Sequence, residues 1–376
     1  MSTESARSPR LRDLGISIGT LPTGPLNAIT DVPGVRVGVT TLIEGDGPLV
    51  VGQGPVRTGV TAIHPHEGST FLEQVPAAID VLNGAGEMTG HALVDEYGLL
   101  SSPVLITNTL SVGAVHQATV EWMSEQHPEI GPREWVAPVI AETYDGALND
   151  VAGQHVHREH VRAALDSATA GPVPEGNVGG GTGMLLFGFK GGTGTSSRQI
   201  EVDGKIYTVG VLVQGNFGSL PDLLVDGVPV GRVLEPTIGE RNLRFRRQQR
   251  REGSIITIIA TDAPFSERQL GRLCRRGMLG LGRVGSTAGH GSGDILLAFS
   301  NAPENRVPRW PAGPLLQTTR LADEWIGPFF SATIDATSEA VLNAMVAAET
   351  MTGRDGITAH ALPHDELQAI MRQHGR

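Results

Sequence analysis

The chain has 376 residues, 39% of them hydrophobic, enough to fill a sizeable core in one large domain or two ordinary ones. Its formal charge of -11 excludes a protein whose main business is nucleic acid, because phosphate binding needs an extended positive footprint; small or cationic partners fit better. No run approaches the roughly 18 uncharged apolar residues of a membrane span, so no membrane partner is expected.

Aromatic residues make up only 4%, while Gly numbers 50 and Pro 24, so Val, Ile, Leu and Ala must build the core and tight turns must be frequent. Cys274 is the one cysteine and cannot form an internal disulfide. The first fifteen residues carry charges with no apolar run behind them, so no secretory signal is expected and a cytoplasmic location is.

In chain order, residues 29–42 alternate β-branched and small residues around Pro33-Gly34 and predict a strand entered from a turn. Residues 58–64 and Val104–Asn108 read the same way. Residues 77–82 and 115–126 read as helices, the second stopped by Pro128. Between residues 176 and 194 two Gly-Gly-Thr-Gly clusters enclose the apolar run 184–189, which predicts a hairpin with Gly-rich ends. Residues 206–214 form a strand-like run ending in Gln-Gly-Asn-Phe-Gly.

Residues 241–252 carry six arginines and almost nothing apolar, so they predict a solvated segment. Ser254 opens the run SIITIIATDA directly afterwards, which reads as a strand buried on both faces. Residues 266–277 predict a helix with Ser266 and Gln269 as a capping box and Leu270, Leu273, Cys274 and Met278 on one face. Residues 295–299 follow as a strand, and residues 337–352 as a helix stopped by Gly353. Strand pairs alternating with helices predict a layered α/β protein.

The Gly253-Ser254 junction is where chemistry is expected. A serine hydroxyl is a weak nucleophile and needs a nearby base. If the bond before Ser254 were cut, the new α-amino group, with a reference pKa of about 7.7–8.0, would sit on the same residue as the hydroxyl and serve as that base. Glycine before the serine leaves the carbonyl under attack open, and the β-branched residues behind it hold the hydroxyl still. On its own a Gly-Ser dipeptide is also what ends an ordinary loop before a strand, so the neighbouring motifs must decide.

Those motifs are NAITDVPGVRVGVTTL, GNVGGGTGM, VLVQGNFGS, REGSIITIIATDAP and HGSGDILLAFS. Together, over residues 14–360 and in order, they resemble the family of L-aminopeptidase D-Ala-esterase/amidases and β-peptidyl aminopeptidases. The resemblance implies one catalytic domain over residues 1–376, cut by itself into an α chain (1–253) and a β chain (254–376). It also implies an αββα sandwich similar to N-terminal nucleophile hydrolases but with different strand connectivity.

Carried over by motif, Ser254 matches the nucleophile and new N-terminus, and Asn216 the side chain that stabilises the oxyanion. Ser292 and Asp294 match the hydroxyl and carboxylate that orient the freed amine. Glu142 matches the acid that receives the substrate's ammonium, and Tyr144 a tyrosine near the oxyanion. The implied activity is hydrolysis of the amide after an N-terminal residue in short peptides, amino-acid amides and esters, D-alanine and β-amino acid derivatives being choices the sequence does not make. No metal or organic cofactor is called for, and a symmetric homo-oligomer of αβ units is expected. An autoproteolytic acyltransferase of the ornithine acetyltransferase type, and an unprocessed ligand-binding homologue, are the alternatives.

Other signals carry less. Residues 280–285 spell GxGxxG but follow a helix rather than a strand. The Gly-Gly-Thr-Gly clusters lack the GK[ST] of a phosphate loop, Lys190 preceding its glycines. His155, His157 and His160, and His64 with His66, lie close in sequence without a recognisable metal motif and read as surface histidines in a polar segment.

Overall fold

The β-branched runs become strands, and the computed structural model, which describes residues 8–238 and 253–376, pairs them into two main sheets. The expected solvated segment 241–252 lies outside the described residues. In chain order the principal strands are β1 (Arg36–Glu44), β2 (Val56–His64), β3 (Glu73–Gly84), β4 (Val104–Asn108), β5 (Val139–Thr143), β6 (Gly192–Val202), β7 (Lys205–Asn216), β8 (Ser254–Thr261) and β9 (Gly293–Ser300). The first sheet runs β1-β2-β4-β5. The second runs β3-β9-β8-β7-β6, with the short strands Val307–Pro308 and Leu99–Leu100 both paired to β3. Within the second sheet β8 is antiparallel to β7 and parallel to β9.

Side-chain periodicity sorts the core into layers. Ile63, Ile106, Val139 and Ala141 of the first sheet meet Leu212, Ile256, Ile258 and Leu297 of the second in one apolar cluster. Two helices, α1 (Val112–Gln126) and α2 (Arg158–Asp166), cover the outer face of the first sheet. Two more, α3 (Glu267–Arg283) and α4 (Gly327–Val346), cover the second. The result is the expected αββα sandwich. Strand β8 is buried on both faces, Ile256 and Ile258 toward the other sheet, Ile255 and Ile259 toward the helices. Each of these isoleucines contributes about 1.5–3 kcal/mol by leaving water. Among the described residues no helix is long and apolar enough to cross a membrane.

Two sequence expectations are corrected. Residues 77–82 are strand, not helix: they lie within β3, where Val75, Ala77 and Ile79 alternate into the inter-sheet core. The last long helix runs over Gly327–Val346 rather than 337–352, opening with a proline in its first turn; Gly353 sits beyond it, packed so closely on Leu148 that a Cβ would collide with the Leu148 carbonyl oxygen. Ser266 does cap α3, its hydroxyl accepting from the Gln269 N–H, and the hairpin Leu185–Leu186 with Phe189–Lys190 forms where the glycine clusters predict it. The GxGxxG glycines begin inside α3, away from any strand-to-helix turn.

One buried charge pair ties helix α4 to β6. Arg198 and Glu339 are both fully buried and 2.6 Å apart, and Glu339 also accepts from Asn27 and Arg12. Burial pushes the Glu339 carboxyl up, but the Arg12 hydrogen bond and the Arg198 charge outweigh it and hold the group below its ordinary value. Removing one partner of such a pair leaves an uncompensated charge in the core. Glu339→Gln is therefore expected to lower the unfolding free energy by about 3–5 kcal/mol in urea titration; a loss under about 1 kcal/mol would show that water reaches Arg198.

Candidate active site

Three strand ends converge at Ser254. The antiparallel register sets Asn216, the last residue of β7, opposite Ser254, the first of β8. On the other side the parallel register sets Ser254 beside Gly293, the first residue of β9. One row across the sheet thus holds Asn216, Ser254 and Gly293. The Ser254 hydroxyl is buried and has no hydrogen-bond partner among the described residues. An unmatched buried hydroxyl costs about 1–3 kcal/mol.

The bond before Ser254 is held in place. The Gly293 N–H donates to the Gly253 carbonyl at 3.0 Å and draws charge toward its oxygen. Gly253 also has no room for a side chain: a Cβ would lie 2.8 Å from Phe217 Cβ and 3.0 Å from Phe217 Cα. Glycine is needed here for close approach, on top of the open carbonyl that the sequence suggests.

Asn216 is fixed at both ends of its carboxamide. Its Oδ1 accepts from the Leu185 N–H at 3.0 Å, and its Nδ2 donates to the Tyr144 carbonyl at 2.8 Å. These partners settle which end is nitrogen. Of the two Nδ2 hydrogens one is committed to Tyr144, which leaves a second for another acceptor. Tyr144 enters through its main chain; its ring is half exposed and leans over Gly146, where a Cβ would collide with the phenol oxygen.

Ser292 and Asp294 flank Gly293. The Ser292 hydroxyl donates to Asp294 Oδ1 at 2.7 Å, while Asp294 Oδ2 is buried without a partner among the described residues. Burial pushes the Asp294 carboxyl up, only partly offset by Ser292. Asp294 pairs with Asn83 of β3 and Ile255 of β8, and the register of β9 against β3 shifts directly after it, between Asp294 and Ile295.

Glu142 reaches the same region from the first sheet. It lies in β5, opposite Thr107 of β4, and is buried. The Glu87 N–H donates to its Oε1 at 3.1 Å and the Thr109 hydroxyl to its Oε2. A Cβ on Gly86 would lie 3.2 Å from Glu142 Oε1 and 3.1 Å from the Gly293 Cα, so the carboxylate borders the row that holds Ser254. Burial raises its pKa, and it makes no ion pair among the described residues. Glu87, Thr109 and Gly86 escape a reading of the sequence because they stand far from Glu142 in the chain; the glycines of residues 84–90 are the available signal.

The closely spaced histidines play no part in this row. His64 and His66 are buried rather than on the surface as the sequence suggests, each satisfied by a main-chain oxygen, Leu165 and Glu73 respectively, and His155 bonds Asp150. Among the described residues no group of three His, Cys, Asp or Glu could hold a metal ion. A cavity of about 340 Å³ bordered by Arg36, His64, Phe71 and His127 shares no residue with the row.

The raised Asp294 pKa has a consequence for stability. The folded chain holds this proton more tightly than the unfolded one, so ionising the group as pH rises above the ordinary value of 3.8 weakens the fold. In the uncut Ser254→Ala chain, where no freed amine faces the acid, Asp294→Asn removes that cost. Its melting temperature, read by circular dichroism, is expected to match or exceed the parent's at pH 7 and to lose that advantage at pH 4; a variant less stable than the parent at pH 7 would contradict the assignment.

A model of peptidase family S58 matches residues 27–359. The chain is 48% identical over 379 residues to beta-peptidyl aminopeptidase BapA of Sphingosinicella microcystinivorans, covering 99% of this chain and 94% of that protein. Among solved structures it is similar to the L-aminopeptidase D-Ala-esterase/amidase from Ochrobactrum anthropi, with TM-score 0.90, 45% identity and coverage of 98% and 99%; that protein is described as a prototype for the serine aminopeptidases and a new variant among the Ntn hydrolase fold. A Burkholderia sp. beta-aminopeptidase superposes with TM-score 0.87 at 42% identity, covering 98% and 99%. With the αββα layers and the strand-end row, these matches show that the chain belongs to peptidase family S58 and is an aminopeptidase.

Proposed function

We propose that the chain is a self-cleaving aminopeptidase and amidase in which Ser254 is both the residue that cuts its own chain and the nucleophile of the mature enzyme. Ser254 Oγ attacks the Gly253 carbonyl, the acyl group moves from nitrogen to oxygen, and water hydrolyses the ester. Residues 1–253 and 254–376 then remain as two chains of one domain, with a free amine on Ser254. That amine, of reference pKa about 7.7–8.0, accepts the hydroxyl proton in each turnover and returns it to the leaving amine. Ser292 and Asp294 orient it. The free Nδ2–H of Asn216 stabilises the oxyanion, with Tyr144 beside it, and water releases the acyl-enzyme; losing one such donor costs about 3–4 kcal/mol of barrier.

Glu142 receives the substrate's ammonium. The observation that supports this is a buried carboxylate beside the Ser254 row whose hydrogen bonds come from Thr109 and Glu87 and whose charge has no cationic partner among the described residues. Short peptides, amino-acid amides and esters are the substrates, with D-alanine and β-amino acid N-termini included by likeness to the relatives' names. Exposed Trp310, Leu315, Leu316 and Trp325 support a symmetric assembly of αβ units, and a buried lone Cys274 suits the cytoplasm.

The deciding experiment compares the wild type with Ser254→Ala on a denaturing gel. The wild type is expected as two pieces with serine first on the smaller, the variant as one inactive band of 39.6 kDa. Active enzyme with an uncut chain through residues 253 and 254 would sink the proposal, and acyl transfer to added amines outpacing hydrolysis would make it a transferase.

Substrate recognition carries its own pH dependence. A cationic substrate binds the ionised form of Glu142, whose pKa burial raises above 4.5. kcat/KM is therefore expected to fall as pH drops through that raised value. Glu142→Gln should raise KM for an amino-acid amide about tenfold or more and flatten this limb; an unchanged KM would remove Glu142 from the binding site.

A further inference from the structure

Lys190 is fully buried, and its ammonium meets only main-chain oxygens. Nζ donates to the carbonyls of Met184 and Gly191, both at 2.7 Å, and approaches the Gly181 carbonyl at 3.5 Å. Three carbonyls thus match three N–H groups. Glycine makes the cradle possible: a Cβ at Gly181 would collide with the Thr193 nitrogen, and one at Gly191 would lie 2.7 Å from Leu186 Cγ. Burying a cation without a directly bonded carboxylate is expensive, and burial lowers its pKa from 10.5 to about 7 against the opposing charge of Asp145. Core packing alone would favour methionine or leucine at this position.

What the ammonium touches accounts for it. The Met184 carbonyl and the Leu185 N–H are two ends of one peptide group, and that N–H holds Asn216 Oδ1. A cation on the carbonyl oxygen draws electron density through the peptide and makes its N–H a stronger donor. The Asn216 carboxamide is polarised in turn, so its Nδ2 hydrogens become more acidic at the end that faces away from Leu185.

We propose that Lys190 is a positioning residue for the reaction, its ammonium acting through the Met184–Leu185 peptide to orient and polarise the Asn216 carboxamide toward the oxyanion. The inference rests on the reading of Asn216 as the oxyanion donor. It adds to that reading a reason for both Gly-Gly-Thr-Gly clusters, which shape the cradle rather than bind a ligand.

The test is a double-mutant cycle on processed enzyme with an amino-acid p-nitroanilide, using Lys190→Met, Asn216→Ala and both together. Lys190→Met is expected to lower kcat about tenfold or more while KM changes less than about twofold, and to cost almost nothing further once Asn216 is alanine. Lys190→Arg, which keeps the charge, should recover part of kcat. A kcat loss of equal size in both backgrounds, or none, overturns the role of Lys190. Asn216→Ala with unchanged kcat overturns the underlying reading as well. Should Lys190→Met not fold, replacing Leu185 by its α-hydroxy acid removes the relaying N–H and leaves Lys190 in place; the same fall in kcat is expected, and an unaltered kcat refutes the relay.

Discussion

The site depends on β8 being hydrogen-bonded on both sides, antiparallel to β7 and parallel to β9. Two independent registers then agree on where Ser254 stands. A slip of one residue would turn Ile255 and Ile256 to each other's faces and carry the hydroxyl from the space between the sheets to the helix side. Because both faces of β8 are packed with isoleucine, such a slip forfeits several buried side chains at about 1.5–3 kcal/mol each. Hydrophobic packing thus supplies the precision of a polar site. The chemistry sits where the strands end because only there are main-chain groups such as the Gly293 N–H still able to reach a neighbouring loop carbonyl.

Burial also sets the electrostatic character of the region. Glu142, Asp145 and Asp294 all have carboxyls raised by desolvation first, Asp145 to about 7. Lys190, the buried cation whose charge acts with that of Asp145, spends its hydrogen bonds on carbonyls and compensates that acid only at a distance. A region with this balance of charge favours an amine over an anion. That complementarity suits an aminopeptidase, whose substrates and whose proposed catalytic base are both amines.

Legibility in the sequence tracks how local each determinant is. The run after Ser254 is apolar at nearly every position because the strand is buried on both faces, so its composition alone announces a core strand. Ser266 and Gln269 announce the start of α3 by a hydrogen bond spanning three residues. Residues 77–82 mislead because two alanines and a leucine suit a helix, and only pairing with β9, more than two hundred residues away, makes them strand. Helix α4 begins earlier than its sequence pattern suggests because it is buried nearly all round, with Thr333, Thr337, Glu339 and Asn343 inside among the apolar residues, so it shows no single stripe. At the site, motif order points to Ser254, Asn216, Ser292, Asp294 and Glu142, but the groups that hold them, Leu185, Thr109 and Glu87, are brought in by the fold and leave no spacing to read.

The same buried acids govern the state of the site after the proposed cut. Before it, Gly253 contributes a neutral carbonyl, bonded to the Gly293 N–H and wedged against Phe217. In the proposed cut that carbonyl would become part of a new carboxylate, in a region that already holds the buried carboxyls of Asp294 and Glu142, and like charges repel. The new amine on Ser254 meets the opposite situation, since any positive charge it takes up during turnover is attracted rather than repelled by these acids. The proposed hydrolysis would thus leave an amine fixed at the start of β8 and an anion on an end no longer tied to it. Release of the Gly253 end would also vacate its place against Phe217, which is how the proposed cut would uncover Ser254.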